Sequence, residues 1–479
     1  MMSAQASQVR VRFAPSPTGH LHIGGLRTAL FNWLFARHHN GIFLLRFEDT
    51  DSERSKPEFM HSQLNSLRWC GIESDEPIVI QSQRIHEHHR LIDQLIDEGK
   101  AYRCFCTQEE IRQRNATHQH QEVDYSKYDR FCRDKPKNPQ DHNSPHVVRF
   151  KVPLEGSIQF DDVIRDTITI DMDQLDDFII MRSDGLPMYN VVVVIDDAYM
   201  RISHVIRGEE HISNTPKQIL LYQAFGYSLP HFAHLPMILA PSGAKLSKRE
   251  GATDVLEYKK EGILPDALCN YLVRLGWAHG DQELFSRDEM IRFFSLEQVS
   301  KKGAIFDREK LLWISTVYLR QASDEKLLDC ITNQLQINLS ELTSNWDDLQ
   351  RLQAIGLYKM RASILKELID EIKHVHKMPL AYNPADIATW ITPQSLSILT
   401  DILTLIKTDH DWSLPILSAL IKEYAAQKNI KMVAITQPLR LALLGKSAGP
   451  GVLELMVLLG KSECVIRLER LITYLKMGS

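Results

Sequence analysis

The chain lacks the long apolar runs that would predict a membrane protein. No hydrophobic stretch approaches membrane-spanning length, and the opening Met-Met-Ser-Ala-Gln-Ala-Ser-Gln has none of the apolar core of a signal peptide. Cysteine is scarce as well, with seven among 479 residues, an odd number without the spacing of a disulfide framework. These absences predict a cytoplasmic protein in a reducing compartment, with no membrane partner.

An overall excess of positive charge is also absent. The formal net charge is −5, with 44% hydrophobic and 24% charged residues, which predicts an ordinary globular protein of about three to four domains. A nucleic-acid partner would therefore need a local basic surface. Residues 431–479 offer a modest one, with seven Lys and Arg against three Asp and Glu.

Near the N-terminus the pattern predicts a strand, a helix and a second strand. Apolar residues alternate with arginines over 9–13 and then recur at helical spacing over 26–34. A second apolar run over 42–47 ends in acidic residues. We interpret the whole as a βαβ unit of a parallel sheet, with polar groups at the carboxyl edge of the strands.

The turn between the first strand and the helix is suited to a nucleotide phosphate. Gly24 and Gly25 leave the backbone N–H groups at the helix start open to an anion, and His22 adds a donor beside them. A bare His-x-Gly turn also begins many ordinary helices, so this motif alone leaves both interpretations open.

A second basic motif lies far along the chain, in a loop that begins at 241–243. Lys245 and Lys248 flank Ser247 there. Two flexible cationic side chains suit a triphosphate undergoing displacement, because negative charge accumulates on its oxygens in the transition state. A basic loop that is merely solvated is the alternative.

Together the two motifs, separated by about 220 residues, resemble the paired signature of the class I aminoacyl-tRNA synthetases. The resemblance narrows to the bacterial glutamyl-tRNA synthetases, whose further blocks occur here in the family's order. These blocks are 12–25, 46–51, 149–153, 183–190, 196–197, 204–210, 437–440 and 449–451.

The resemblance implies an α/β protein with several domains. We expect a Rossmann-type parallel-sheet catalytic domain, an α+β insertion that holds the tRNA acceptor end, and all-α anticodon-binding domains. A continuous apolar run over 189–195 is interpreted as a buried parallel strand. The expected divisions are 1–101 with 190–240 (catalytic), 102–189 (insertion), 241–323 (lysine loop and stem contact) and 324–479 (helical, two subdomains split near 380).

The resemblance also assigns the substrate-binding residues. A substrate with two carboxylates and an ammonium group needs cationic and acidic anchors, and arginine binds carboxylates bidentately. The glutamate-binding residues implied are Arg12, Ala14, Ser16, Glu48, Tyr189 and Arg207. Those implied for ATP, with Mg²⁺, are Thr18, His22, Gly24, Gly25, Lys245, Ser247 and Lys248, of which His22, Lys245 and Lys248 are catalytic.

Cysteines within the expected insertion predict a structural zinc site. Cys104 and Cys106 form one pair, and Cys132 with Asp134 follows after a loop. Thiolates and carboxylates can complete a tetrahedral zinc shell. Zinc-bearing relatives commonly place histidine where Asp134 stands, so three free thiols remain the alternative.

The implied function is glutamyl-tRNA synthesis by a monomer whose partners are tRNA(Glu), L-glutamate and ATP, without DNA. Arg361 matches an arginine with which discriminating members read the third anticodon base, while charging of tRNA(Gln) by a non-discriminating or tRNA(Gln)-directed paralogue stays open. Glutaminyl-tRNA synthetases carry β-barrels where the sequence from Asp324 is helical, and glutamyl-queuosine tRNA synthetases should stop near residue 300. A non-catalytic RNA-binding paralogue is the alternative from another class.

Overall fold

The chain forms two compact units. The computed structural model describes residues 8–51, 53–117, 128–135, 144–244, 246 and 254–477. The first unit comprises Met1–Glu257 and Leu268–Arg308, and the second comprises Tyr258–Ala267 and Glu309–Ser479. Within the described residues, no helix combines the length and apolar character that crossing a membrane requires.

The first unit begins with the βαβ arrangement that the sequence predicts. Strand β1 (Arg10–Phe13) leads to helix α1 (Ile23–His38) and strand β2 (Ile42–Phe47). The two strands are parallel, with Arg10 opposite Ile42. Helix α1 is buried along most of its length because the sheet covers one side and later helices cover another. Next come α2 (Pro57–Trp69), β3 (Val79–Ile80), which pairs parallel to β2, and α3 (Ile85–Asp97).

The expected insertion contributes to two different sheets. Strand β4 (Ala101–Cys104) pairs antiparallel with β5 (Val147–Phe150), and β5 also pairs with β8 (Ile179–Met181). These three strands make a small separate sheet. Strands β6 (Ser157–Asp162) and β7 (Asp166–Asp171) instead form an antiparallel hairpin that joins another sheet. The elements in chain order are β4 (Ala101–Cys104), α4 (Gln108–Thr117), β5 (Val147–Phe150), β6 (Ser157–Asp162), β7 (Asp166–Asp171) and β8 (Ile179–Met181).

The apolar run over 189–195 is a helix, so the prediction of a buried strand there is wrong. Helix α5 (Tyr189–Tyr199) buries Val191 to Ile195 on every side. A helix that is buried all round has an unbroken apolar sequence, and periodicity cannot distinguish it from a buried strand.

The larger sheet contains the hairpin β6–β7. Strand β9 (His204–Gly208), helix α6 (Thr215–Phe225) and strand β10 (His231–Leu235) follow α5. The strand order is β7, β6, β10, β9, and β10 pairs parallel with both β6 and β9. Strands within the expected insertion therefore extend the sheet that carries strands of the expected catalytic domain. The remaining elements before the second unit's helices are β11 (Ile238–Leu239), α7 (Val255–Glu261), α8 (Pro265–Arg274), α9 (Arg287–Phe293) and β12 (Ala304–Ile305).

The described part of the second unit is helical, as the sequence predicts. Two of its helices end at a glycine: helix α18 (Met432–Leu444) stops at Gly445, whose φ of 76° favours glycine, and helix α19 (Val452–Leu459) stops at Gly460. The helices are α10 (Arg308–Gln321), α11 (Asp324–Asp329), α12 (Leu339–Leu342), α13 (Asp348–Tyr358), α14 (Leu365–His376), α15 (Pro384–Trp390), α16 (Ser395–Lys407), α17 (Leu414–Lys428), α18 (Met432–Leu444), α19 (Val452–Leu459) and α20 (Lys461–Met477).

Candidate active site

A cavity of about 1180 Å³ lies in the first unit, at the carboxyl ends of β1, β2 and β9. Ligands of open α/β sheets bind at this edge. Ten of the residues predicted from the sequence line the cavity, namely Arg12, Ala14, Ser16, Thr18, His22, Gly24, Gly25, Glu48, Tyr189 and Arg207. Lys245, Ser247 and Lys248 lie outside the described residues, although Leu246 between them lines the cavity.

The turn before α1 has the geometry of an anion cradle. His22 is the N-cap of α1, and its Nδ1 accepts a hydrogen bond of 3.2 Å from the backbone N–H of Gly25. Ile23, Gly24 and Gly25 of the first turn line the cavity, and the N-terminus of a helix favours an anion. A Cβ on Gly24 would lie 3.0 Å from the His22 ring, and one on Gly25 would lie 2.8 Å from Leu21 Cδ1. The glycines thus keep this turn closely packed as well as open to a phosphate.

Gln63 on α2 holds the same turn from outside, which the sequence did not indicate. Its buried amide nitrogen donates to the carbonyl oxygens of Ser16 at 3.2 Å and Gly19 at 2.7 Å. These two bonds hold the backbone of the turn against α2.

Under the cavity lies a buried network of alternating charges. Arg12 Nε donates to Asp197 Oδ1 at 3.0 Å, and Arg46 donates both to Asp197 and, at 3.0 Å, to Glu48. Burial alone would raise the pKa of Asp197, yet Arg12 and Arg46 hold it below its usual value. The pKa of Glu48 is raised by burial, against the opposing effect of Arg46. The two arginines and two carboxylates therefore balance one another.

Arg207 differs from Arg12 in having only neutral partners. Its guanidinium, 5% exposed, donates from Nε to His234 Nε2 at 3.1 Å and from the terminal nitrogens to Gln218 Oε1 and Thr215 Oγ1, each at 2.8 Å. None of the described residues brings a carboxylate within ion-pair distance of it. Burial lowers the pKa of Arg207, which makes an anionic ligand the favourable partner.

Tyr189 lies at the start of α5 beside the same guanidinium. Its hydroxyl is 3.3 Å from His211 Nδ1, and burial raises its pKa. Burial, with Arg207 nearby, lowers the pKa of His211 to about 4, so this imidazole is neutral. Neutral groups surround Arg207 on this side too.

The three cysteines of the predicted zinc site lie together, but Asp134 does not. The sulphur atoms of Cys104, Cys106 and Cys132 lie within 4.8 Å of one another. The Asp134 side chain is 85% exposed and lies 3.7 Å from Lys151 Nζ. Two further polar groups reach the cluster. Arg114 Nη2 donates to Cys106 Sγ at 3.3 Å, and the Tyr128 hydroxyl lies 3.2 Å from Cys104 Sγ and 2.9 Å from the backbone nitrogen of Cys132.

Arg361 lies in the second unit, exposed in a short turn after α13. Burial and the charge of Arg361 lower the pKa of Arg440 on α18. Arg440 in turn donates to the Pro450 carbonyl at 3.3 Å and to Gln437 Oε1 at 2.9 Å. The sequence blocks 437–440 and 449–451 thus meet at Arg440, which forms a cationic patch with Arg361.

Known proteins are similar to this chain over nearly its full length. Residues 8–313 match the family described as tRNA synthetases class I (E and Q), catalytic domain, and residues 326–472 match an anticodon binding domain. The chain is 43% identical to a glutamate–tRNA ligase 1 of Syntrophus aciditrophicus over 98% of both chains. It is also 43% identical to the glutamate–tRNA ligase of Geobacter sulfurreducens, over 98% of this chain and 100% of the relative.

A solved structure with the same fold contains a bound amino acid. This is a glutamate tRNA ligase from Elizabethkingia meningosepticum in complex with its amino acid, with a TM-score of 0.86 and 34% identity over 97% of this chain and 99% of that one. The glutamate–tRNA synthetase of Elizabethkingia anophelis gives a TM-score of 0.84 at 34% identity, over 97% of this chain and 100% of that one.

Proposed function

Because this chain belongs to the glutamate–tRNA ligases, within the class I tRNA synthetases, we propose that it joins L-glutamate to the 3′-terminal adenosine of tRNA(Glu) with ATP. The observation that carries the proposal is the composition of one cavity. It combines a helix N-terminus suited to phosphate with a buried guanidinium whose partners among the described residues are all neutral. ATP and an amino acid with a carboxylate side chain meet these two needs.

The first step is attack of the glutamate α-carboxylate on the α-phosphate of ATP. The P–O bond to pyrophosphate breaks, and glutamyl-adenylate forms. His22 and the N–H groups of α1 hold the phosphates in place, and Lys245 and Lys248 offset the charge that develops. Bound Mg²⁺ would neutralise and orient the triphosphate. In the second step the ribose hydroxyl of the terminal adenosine displaces AMP from the glutamyl group.

Exchange of pyrophosphate into ATP, with glutamate and tRNA present, tests the proposal. The resemblance implies that activation needs bound tRNA, so exchange should appear only when all substrates are present. A non-catalytic RNA-binding paralogue would bind tRNA and give no exchange.

We predict that Lys248→Ala lowers the rate of adenylate formation by roughly 10²–10³, the usual effect of removing one charge-stabilising donor. Exchange kinetics measure the rate, and circular dichroism checks the fold. Lys259→Ala, at a half-buried position near the end of α7, is the matched control because it removes a lysine near in sequence. Wild-type exchange in Lys248→Ala would remove the lysine loop from the mechanism.

We further propose that the insertion binds one structural zinc ion through Cys104, Cys106 and Cys132, with the Tyr128 hydroxyl as fourth ligand. The clustering of three sulphur atoms beside one phenol oxygen supports this set, and Asp134 is too far from them. Burial and the neighbouring Cys132 raise the pKa of Cys106 to about 12, so a bound cation would be needed to keep this thiol ionised.

Metal analysis of the purified protein is expected to return one zinc ion per chain. Asp134→Ala should keep it, whereas Cys132→Ala should lose it, because only the second change removes a ligand. Chelation should also raise hydrogen exchange in α4 and around Tyr128. Zinc-free wild-type protein with three titratable thiols would contradict the site.

We propose that the cationic patch around Arg361 and Arg440 contacts the anticodon and so helps to select the tRNA. Charging assays with purified tRNA(Glu) and tRNA(Gln) decide between the alternatives. Charging of tRNA(Glu) alone supports a discriminating enzyme, and charging of both identifies a non-discriminating one.

We also propose that the protein acts as a cytoplasmic monomer, since one chain carries both the catalytic cavity and the anticodon-binding helices.

A further inference from the structure

The neutral partner of Arg207 Nε is itself held by a buried carboxylate. His234 and Arg207 are register partners on the parallel strands β10 and β9, so their side chains lie on the same face of the sheet. On the other side of His234, its Nδ1 lies 2.6 Å from Asp162 Oδ2 at the end of β6. Asp162, His234 and Arg207 therefore form a continuous chain across three strands.

Asp162 is built to stay ionised. Its Oδ1 accepts from the backbone N–H groups of Ile164 at 3.0 Å and Arg165 at 2.9 Å, and its Oδ2 accepts from the His234 backbone N–H at 3.1 Å. Although burial raises its pKa, the His234 side chain and these donors lower it below the ordinary value. The N–H groups that face Asp162 all need an acceptor, which the ionised carboxylate supplies.

An ionised Asp162 fixes the tautomer of His234. A proton on Nδ1 satisfies the 2.6 Å contact with the carboxylate, which leaves a lone pair on Nε2. Nε2 faces Arg207 Nε at 3.1 Å, and a guanidinium nitrogen can only donate. The Thr215 hydroxyl, also 3.1 Å from Nε2, can donate to the same lone pair. The imidazole is completely buried, so it has no water to compensate a wrong tautomer.

We propose that Asp162 and His234 are positioning residues for glutamate recognition: Asp162 holds His234 in the tautomer whose Nε2 accepts from Arg207, and this contact aims the guanidinium at a substrate carboxylate. A neutral imidazole positions Arg207 without cancelling its charge, whereas a carboxylate in its place would compete with the substrate. The inference rests on the proposed role of Arg207 in binding glutamate.

Asp162→Asn is the first test because it preserves shape and reverses one hydrogen bond. If the amide nitrogen faces His234, Nδ1 must become the acceptor, and the proton moves to Nε2 against Arg207. If the amide is turned round, its N–H₂ group faces the N–H groups of Ile164 and Arg165 instead. Asp161→Asn on the same strand is the matched control, since Asp161 contacts Thr167 at the surface.

Two changes at His234 separate positioning from packing. His234→Gln keeps an acceptor near the position of Nε2, and His234→Phe keeps a ring beside Phe232 but removes the acceptor. Aminoacylation with tRNA(Glu) gives KM for glutamate and for ATP, and thermal unfolding reports the structural effect of each change.

We expect Asp162→Asn and His234→Phe to raise KM for glutamate about ten- to hundredfold, while KM for ATP stays within about twofold. His234→Gln should recover most of the glutamate affinity. Unchanged glutamate KM in both impaired variants, or equal loss of ATP and glutamate affinity, would overturn the inference. If Asp162→Asn does not fold, the two His234 variants decide alone.

Arg207→Ala, measured in parallel, separates this inference from the proposed function. A large rise in glutamate KM for Arg207→Ala together with wild-type behaviour of His234→Phe rejects the positioning role only. Wild-type behaviour of Arg207→Ala as well rejects the glutamate site on which it rests.

Discussion

Replacing Arg207 with alanine is expected to lower kcat/KM for glutamate by about two to four orders of magnitude, the effect of removing one partner of a buried ion pair worth roughly 3–5 kcal/mol. The reason is the composition of the site. His234, Gln218 and Thr215 orient the guanidinium but leave its charge unbalanced until a carboxylate binds. KM for ATP should change little, since the phosphate-binding turn lies on a different element.

Arg12→Ala is the matched comparison for this result. Arg12 lies on the same cavity, yet its charge is already balanced by Asp197 at 3.0 Å. We therefore expect a smaller loss for Arg12→Ala than for Arg207→Ala. Measuring the glutamate-over-glutamine preference of both variants identifies which arginine meets the side-chain carboxylate, because that variant loses the preference. A larger loss at Arg12 would show that neutral surroundings do not mark the main anchor.

The second large effect expected is on stability. Arg46→Met should destabilise the first unit by roughly 3–5 kcal/mol, because it leaves buried Glu48 without its cationic partner and Asp197 with Arg12 alone. Methionine retains much of the side-chain length, so the loss reports charge more than packing. Urea unfolding followed by tryptophan fluorescence and circular dichroism measures the shift of the transition.

Arg90→Met is the control for Arg46→Met. Arg90 and Glu87 form an exposed pair on α3, with contacts of 2.9 and 2.6 Å. An exposed pair contributes little to stability, because solvent screens both charges. The lowered pKa of Asp197 stabilises the folded protein at pH values above the pKa that this carboxyl has in the unfolded chain. This contribution is lost as the pH falls through the pKa of the folded state. The difference in unfolding free energy between wild type and Arg46→Met should therefore narrow in acid. Equal destabilisation by both changes would contradict this account.

Local patterns in the sequence predicted the first βαβ unit because strand and helix periods are local. Alternation over 9–13 and the apolar run over 42–47 correspond to β1 and β2. The same reasoning failed at 189–195. Helix α5 is buried on all sides there, so its sequence is apolar throughout and shows no helical alternation of apolar and polar residues. The pocket residues came from family motifs, and the cavity brings ten of them together.

The supporting residues could not be predicted in this way because register places them. Asp162 and His234 lie 72 residues apart in sequence, and they meet each other and the predicted Arg207 only through the pairing of β6, β9 and β10. Asp197 and Arg46 stand within blocks that the sequence did mark, but nothing local indicated that they would pair. Asp134 is close in sequence to Cys132, yet its side chain points to solvent, because adjacency along a chain does not set direction.

The hairpin β6–β7 decides where this protein can be divided in engineering. A chimaera cut at 102 and 189 would exchange an edge of the larger sheet together with Asp162, and so would replace part of the support of Arg207. A cut between Cys104 and Val147 would leave both sheets whole, since β4 and β5 pair directly across that point. Exchange of the segment between these two strands would leave the rest of the 102–189 region in its own sheet, but the segment would have to keep Cys106, Tyr128 and Cys132, because Cys104 at the end of β4 lies in one cluster with them.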